Sequence, residues 1–248
     1  MRKVLITAGA NGIGAAMARA FDAAGDEVWV TDVDAAALGA CPDYWRTHHA
    51  DVASEPDMAG VIAQMGQIDV LCANAGIAGP TAPIEEVELE AWRACVSVNL
   101  EGAFLAAKHA APLMKRAGQG AMVLTSSTAG LFGYPMRAPY AAAKWAVIGL
   151  MKTLAMELGP HGVRANAICP GAVEGPRMDA VLAREAAAKG MSRQMVYDGY
   201  ASGTSMRRFV EAEDVAAMAV FLASPAARHV SGQVIAVDGH TENPDPKP

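Results

Sequence analysis

Residues 2–32 read as a strand, a glycine-rich turn, a helix and a second strand, and nothing else in the chain limits its fold so strongly. Arg2–Thr7 is a short apolar run that stops at a turn, the mark of a buried strand. Ile13, Met17, Ala20 and Phe21 recur at helical spacing over Ile13–Ala24, Gly25 closes that helix, and Glu27–Asp32 (EVWVTD) turns apolar again. Strand, helix and strand within about thirty residues make a βαβ unit.

The alternation continues to the end of the chain. Thr47–Ala50, Ile68–Ala73, Ala121–Ser126, Val163–Ile168 and Gln233–Val237 read as strands. Glu55–Met65, Glu85–Val98, Glu101–Ala117, Pro139–Leu158 and Glu211–Ala223 read as helices. The segment from Asp34 to Asp51 is short for a full crossover, so its helix should shrink to a turn or two. Six or seven strands alternating with helices predict an α/β fold: a single Rossmann-type doubly wound parallel sheet with helices on both faces. No linker splits the 248 residues, so 1–248 should form one domain. Residues 172–208 read as irregular and polar, a lid over the site, and the proline-rich tail at about 243–248 should stay flexible.

Bulk properties exclude several classes. A net charge of −6 with no basic stripe argues against nucleic acid as a partner. No apolar stretch reaches a membrane-spanning length, and the apolar run in MRKVLITAGA is too short for a signal peptide. Cys41, Cys72, Cys95 and Cys169 are widely spaced without a C-x-x-C, which suits free thiols in a reducing cytoplasm. No metal is expected: His48 and His49 point to opposite faces of a strand, and the other histidines lack partners at ligand spacing.

Thr7-Ala8-Gly9-Ala10-Asn11-Gly12-Ile13-Gly14 lies where the first strand becomes a helix. Gly9, Asn11, Gly12 and Ile13 there can bring backbone N–H groups and the positive end of a helix against a pyrophosphate. Asp32, 18 residues beyond Gly14, can accept hydrogen bonds from the adenosine ribose hydroxyls and would repel a 2′-phosphate. No cation stands at Ala10, Asn11 or Val33, so the expected cofactor is NAD. Tyr140 and Lys144 are one helical turn apart and share a face. Ser127 precedes Tyr140 by 13 residues and Asn99 by 41. A phenol, an ammonium, a hydroxyl and an amide can move a proton on and off an alcohol oxygen. A neighbouring cation favours the phenolate and brings the phenol toward the pH at which a general base works best.

With these motifs the sequence resembles the short-chain dehydrogenase/reductases, nearly from end to end. The family pattern of the glycine turn is T-G-x-x-x-G-x-G; Ala8 replaces its first glycine, and a single methyl there is tolerated if the backbone stays in a permitted region. The resemblance implies that Tyr140 is the general base and that Lys144 also holds the nicotinamide ribose. It implies that Ser127 binds the substrate oxygen and that Asn99 anchors a water linking Lys144 to solvent. It places Asp51 and Val52 against the adenine, and Asn74, Ala75 and Gly76 near the cofactor ribose, with Asn74 as framework or direct ligand. Pro170, Gly171 and Val173 would lie under the nicotinamide, Val173 bonding the carboxamide through its backbone. Ser126-Ser127-Thr128-Ala129-Gly130 is in the register of the family's S-S-x-x-G and favours the second serine over the first. Hydride transfer to the pro-S face and a homotetramer follow from the same likeness.

The expected function is an NAD-dependent oxidoreductase that interconverts a secondary alcohol and a ketone. A small hydroxy acid, a polyol or sugar, a cyclic alcohol and a 3-oxoacyl thioester all remain open as substrates; an NAD-sensing regulator is the non-enzymatic alternative. Arg137 lies on the loop before the Tyr140 helix, as an anion clamp or as a surface or interface arginine, and Arg177 is a second candidate for substrate contact. Trp145 should face away from the site, toward a subunit contact.

Overall fold

The computed structural model describes residues 1–243. Its strands are β1 (Lys3–Thr7), β2 (Glu27–Asp32), β3 (Arg46–His49), β4 (Val70–Ala73), β5 (Gly120–Thr125), β6 (Val163–Pro170) and β7 (Val234–Val237). They form one sheet in the order β3-β2-β1-β4-β5-β6-β7, and every pairing is parallel. The α-helices are α1 (Gly12–Ala23), α2 (Ala35–Gly39), α3 (Glu55–Met65), α4 (Leu89–Val96), α5 (Gly102–Ala117), α6 (Ala138–Leu158), α7 (Pro176–Lys189), α8 (Arg193–Ser202) and α9 (Ala212–Ala223).

Alternate residues of each central strand feed two cores, as the two-residue period of a pleated strand requires. Leu5, Leu71, Met122 and Leu124 pack with α3, α5 and α6 on one face. Val4, Ile6, Val30, Cys72 and Val123 pack with α1 and α9 on the other. Local chemistry fixes the helix ends. The Ser54 hydroxyl accepts from Asp57 N at the start of α3, and Glu211 with Asp214 forms a capping box on α9. Gly118 ends α5 in the left-handed conformation that glycine adopts most easily. α2 has five residues, the short crossover expected between Asp34 and Asp51.

Two expectations are corrected. Residues 172–208 are not irregular: they carry α7 and α8, which pack on one another around Leu182, Ala186, Val196 and Phe209. Met178, Val181, Leu182, Glu185 and Ala186 already have helical spacing, Pro176 opens α7 and Gly190 closes it, but frequent charges mask the stripe. Glu85–Val98 is broken as well. Ile84–Glu86 is a 3₁₀ turn, α4 begins at Leu89, and Ser97–Glu101 is a π-helical turn leading into α5. Of the tail, residues 244–248 lie outside the described residues, whereas Asn243 N donates to the carbonyl of Gly203.

The sheet order reverses between β1 and β4. In open α/β sheets a ligand crevice forms beyond the carboxyl ends of the strands at such a switch point.

Candidate active site

A cavity of about 470 Å³ occupies that place. It is lined by residues at the ends of five strands: Ala8, Asp32, Asn74, Ser126 and Ser127, and Pro170. At one end Asn11, Gly12, Ile13 and Gly14 present the start of α1. The side chain of Asn11 does not cap the helix, so the first N–H groups of α1 stay free for an anion. Gly14 is compulsory: a Cβ there would lie 2.0 Å from the carbonyl oxygen of Ala8 and 2.8 Å from Asn74 Nδ2. The turn and helix start thus form a cradle that fits a dinucleotide pyrophosphate. Gly9 does not line the cavity; its N–H donates to the Thr31 carbonyl and its missing side chain lets the turn pack on Val30. Ala8 has φ 50°, in the left-handed region that residues other than glycine adopt rarely, so its methyl is accommodated with strain.

The Asp32 carboxylate accepts from the N–H groups of Ala10 and Asp34, which fixes it at the lip of the cavity. Among the described residues no cationic side chain lines the cavity at that end. Asp51 and Val52 do not line it. Asp51 accepts from Ala53 N, and Val52 is buried where Gly102 gives it room. Asn74 is framework. Its side-chain N–H groups donate to the carbonyls of Thr7 and Ala8, its carbonyl accepts from Thr125 Oγ1, and β1, β4 and β5 are thereby tied together. Ala75 N donates to Thr7 Oγ1. Gly76 leaves room for two site residues: a Cβ would fall 2.5 Å from Asn99 Oδ1 and 3.2 Å from Lys144 Nζ. Pro170, Gly171 and Val173 line the cavity. The bridge between Val173 and Val210 is bonded through Ala172 O and Glu174 N, so the N–H and C=O of Val173 itself face the other way.

Tyr140 and Lys144 project from the first turns of α6 into the same cavity. Lys144 is 2% exposed, donates to the Thr125 carbonyl at 2.9 Å, and has its ammonium 5.7 Å from the Tyr140 ring centre. Burial raises the Tyr140 phenol, but the charges of Lys144, Arg177 and Arg137 and a hydrogen bond with Ser127 outweigh it and hold Tyr140 below its ordinary value. Burial also lowers Lys144, partly offset by Tyr140. The choice between the serines has a structural basis. Ser126 Oγ is spent on the Lys144 carbonyl at 2.7 Å, whereas Ser127 Oγ accepts from Ala129 N, lines the cavity and lowers the Tyr140 phenol. Asn99, 1% exposed in the π-helical turn, donates to the carbonyls of Ile77 and Cys95. Its Oδ1 has no partner among the described residues and faces Gly76 beside Lys144. π-Helical turns are frequent at functional sites, where they re-aim a side chain.

Arg137 is not a surface arginine. It is 8% exposed, lines the cavity, and has its guanidinium carbon 4.9 Å from the Tyr140 ring centre. Arg177 also lines the cavity. Trp145 is 51% exposed and does not line it. Tyr134, which the sequence reading does not single out, borders the cavity, and so does Tyr200, one of the hydroxyl-bearing side chains of the expected lid. The Tyr134 hydroxyl pairs with Thr128 Oγ1, and the Tyr200 hydroxyl donates to the buried Glu185. The Gly133-Tyr134-Pro135 turn ahead of α6 was the available signal for the first.

Fold and site together define a dinucleotide-dependent oxidoreductase of the doubly wound α/β class. Residues 7–240 match the family model described as enoyl-(acyl carrier protein) reductase. Cis-4-hydroxycyclohexanecarboxylate dehydrogenase of Sinomonas cyclohexanicum is 36% identical, covering 96% of this chain and 95% of that protein. The crystal structure of NAD⁺-bound xylitol dehydrogenase superposes with a TM-score of 0.92 at 26% identity, over 96% of this chain and 98% of that one. A single-residue variant of actinorhodin polyketide ketoreductase with NADPH gives a TM-score of 0.93 at 30% identity, over 98% and 97%. The chain belongs to the short-chain dehydrogenase/reductase family and is an oxidoreductase using a nicotinamide cofactor.

Proposed function

We propose that the protein is an NAD-dependent dehydrogenase interconverting a secondary alcohol and its ketone, with Tyr140 as general acid–base. The carrying observation is the convergence of Tyr140, Lys144 and Ser127 on one wall of the cavity, with the phenol held below its ordinary value. A phenol so placed takes the carbinol proton during oxidation and returns it during reduction. Ser127 donates to the same oxygen, fixing its distance from Tyr140. Lys144 keeps positive charge beside the phenolate as it forms, and Asn99 Oδ1, beside Lys144, offers the acceptor for a proton path through water. A bound nicotinamide supplies the hydride acceptor or donor. The free start of α1 suits its pyrophosphate, and the N–H and C=O of Val173, turned away from the bridge to Val210, suit its carboxamide. The helices α7 and α8 serve as the substrate lid.

Asp32 favours NAD over NADP, because a carboxylate without a neighbouring cation accepts from ribose hydroxyls and repels a 2′-phosphate. Comparison of kcat/KM for the two cofactors tests this: NAD should win by ~10-fold or more, and Asp32→Ala should narrow the gap. Equal use of both by the unmutated protein would overturn the assignment. Apolar side chains exposed on α5 and α6, Phe104 and Trp145, support assembly of these helices against their own copies in a homotetramer. Among the described residues no helix is long and apolar enough to cross a membrane, and the four cysteines are free, which supports a reading as a cytoplasmic enzyme.

A further inference from the structure

The chemistry proposed for Tyr140 uses Lys144 directly, whereas Arg137 and Arg177 enter it only through their charge and have no hydrogen-bonding partner assigned in the substrate. Arg137 is buried at the mouth of α6, directly after Met136, whose φ of 61° puts a bulky residue in the left-handed region. Strain of that kind persists only where surrounding structure enforces it, and it collects at functional sites. A guanidinium carries five N–H donors. Here Nη2 donates to the Ala78 carbonyl at 3.1 Å, while Nε is buried with no partner among the described residues. Arg177 lines the same cavity close enough for its charge to act on Tyr140 and Lys144. No ion pair joins either arginine to a described carboxylate. Of the acids nearby, Glu185 is engaged with Tyr200 and Lys189 and Asp238 with the N–H groups of His240 and Thr241, while Glu174 lines the cavity on the lid side and accepts from Tyr197. Among the described residues three cations, Arg137, Lys144 and Arg177, line the cavity with two acids, Asp32 at its lip and Glu174 on the lid side, and Arg137 keeps a buried donor unspent.

A buried donor left unpaired and a charge left uncompensated are both costly, and a bound anion relieves both. We propose that the substrate is itself an anion, a short hydroxy acid or the matching oxo acid, whose carboxylate accepts hydrogen bonds from Arg137 while its carbinol oxygen meets Tyr140 and Ser127. Arg137 lies over the Tyr140 ring, so the acid group and the carbinol must be separated by only a few bonds. Arg177 adds long-range attraction from the lid. The carboxylate is a handle and is unchanged by the reaction. The inference rests on the dehydrogenase reading above, and its test keeps the two apart.

The measurement is kcat/KM with NAD for matched acids and neutral amides: 2-hydroxybutyrate and 3-hydroxybutyrate against their carboxamides. The unmutated enzyme should favour the acid of the better pair by ~100-fold, the usual worth of a charge-assisted bidentate contact. Arg137→Gln should collapse that ratio to within a few-fold, and Arg137→Lys should not restore it, because an ammonium lacks the planar fork. Melting curves check that both variants fold. In parallel, malonate and malonamide are titrated onto the enzyme, free and saturated with NADH, by fluorescence. Malonate should bind and malonamide should not, with binding lost in Arg137→Gln. Equal turnover of acids and amides, or an acid preference that survives Arg137→Gln, overturns the proposal; so does a variant that loses NADH affinity and keeps the ratio, which would put Arg137 on a cofactor phosphate. Should no pair be turned over, malonate binding that depends on Arg137 sustains the anion site, and its absence overturns it. Failure of the unmutated protein to bind NADH at all would instead overturn the dehydrogenase reading.

Discussion

Lys144 Nζ donates a 2.9 Å hydrogen bond to the carbonyl of Thr125, the last residue of β5. One bond thus fixes the distance between a strand end and the catalytic face of α6, and it holds a buried ammonium beside Tyr140. Lys144→Ala should impair both cofactor binding and turnover, because it removes a positive charge together with the ribose contact that the family likeness implies. A loss of ~100-fold or more in kcat/KM is expected, with weaker NADH binding by fluorescence titration. Full NADH affinity in the variant would confine the lysine to the proton relay.

Ala8 carries the backbone strain of the cofactor turn, with φ 50° where the family pattern has glycine. Ala8→Gly removes a methyl that disfavours this conformation by about 1–2 kcal/mol, partly offset by about 0.4–1 kcal/mol of extra chain entropy in the unfolded state. The net gain should raise the melting temperature by about 2 °C, since 1 kcal/mol moves a domain of this size by about 2–4 °C. A lower melting temperature in Ala8→Gly would show that the neighbouring contacts of the methyl outweigh its strain.

The assembly expected from α5 and α6 is open to light scattering. The mass should be four times that of the 25.7 kDa chain. Replacing exposed Phe104 and Trp145 with glutamate together should lower it by placing like charges in the proposed contact, while a single-chain mass for the unmutated protein would contradict the assembly.

Much of the fold was legible because its signals are local and repeat. Short apolar runs ending at Gly9, Asn74 and Pro170 mark buried parallel strands, and Asp34 to Asp51 is too short for anything but a reduced helix. Residues 172–208 read as irregular because charge interrupts the apolar stripe of α7, and that helix gains its partners only when α8 and Phe209 fold against it. Within the site, Tyr140, Lys144, Ser127 and Asp32 were visible as spacings. Arg137 was visible as a candidate, but its burial was not, since contact with Ala78 and Tyr140 joins separate segments and no local pattern reports it. Nor did any spacing reveal that Ser126 spends its hydroxyl on the Lys144 carbonyl, or that Asp51 and Val52 stand outside the cavity.

The central claim is that Tyr140 exchanges the substrate proton, and the most direct measurement is NADH formation as a function of pH. The unmutated enzyme and Tyr140→Phe are compared on a panel of hydroxy acids, polyols and cyclic alcohols. Only the phenolate accepts a proton, so the oxidative rate should rise with pH, and its limb should lie below the ordinary tyrosine pKa of about 10 because Lys144, Arg177, Ser127 and Arg137 outweigh burial. Tyr140→Phe should lose ~100-fold or more at every pH while binding NADH almost normally. A Tyr140→Phe enzyme that kept the same pH limb and more than a few per cent of the activity would contradict the account and assign the base to another residue.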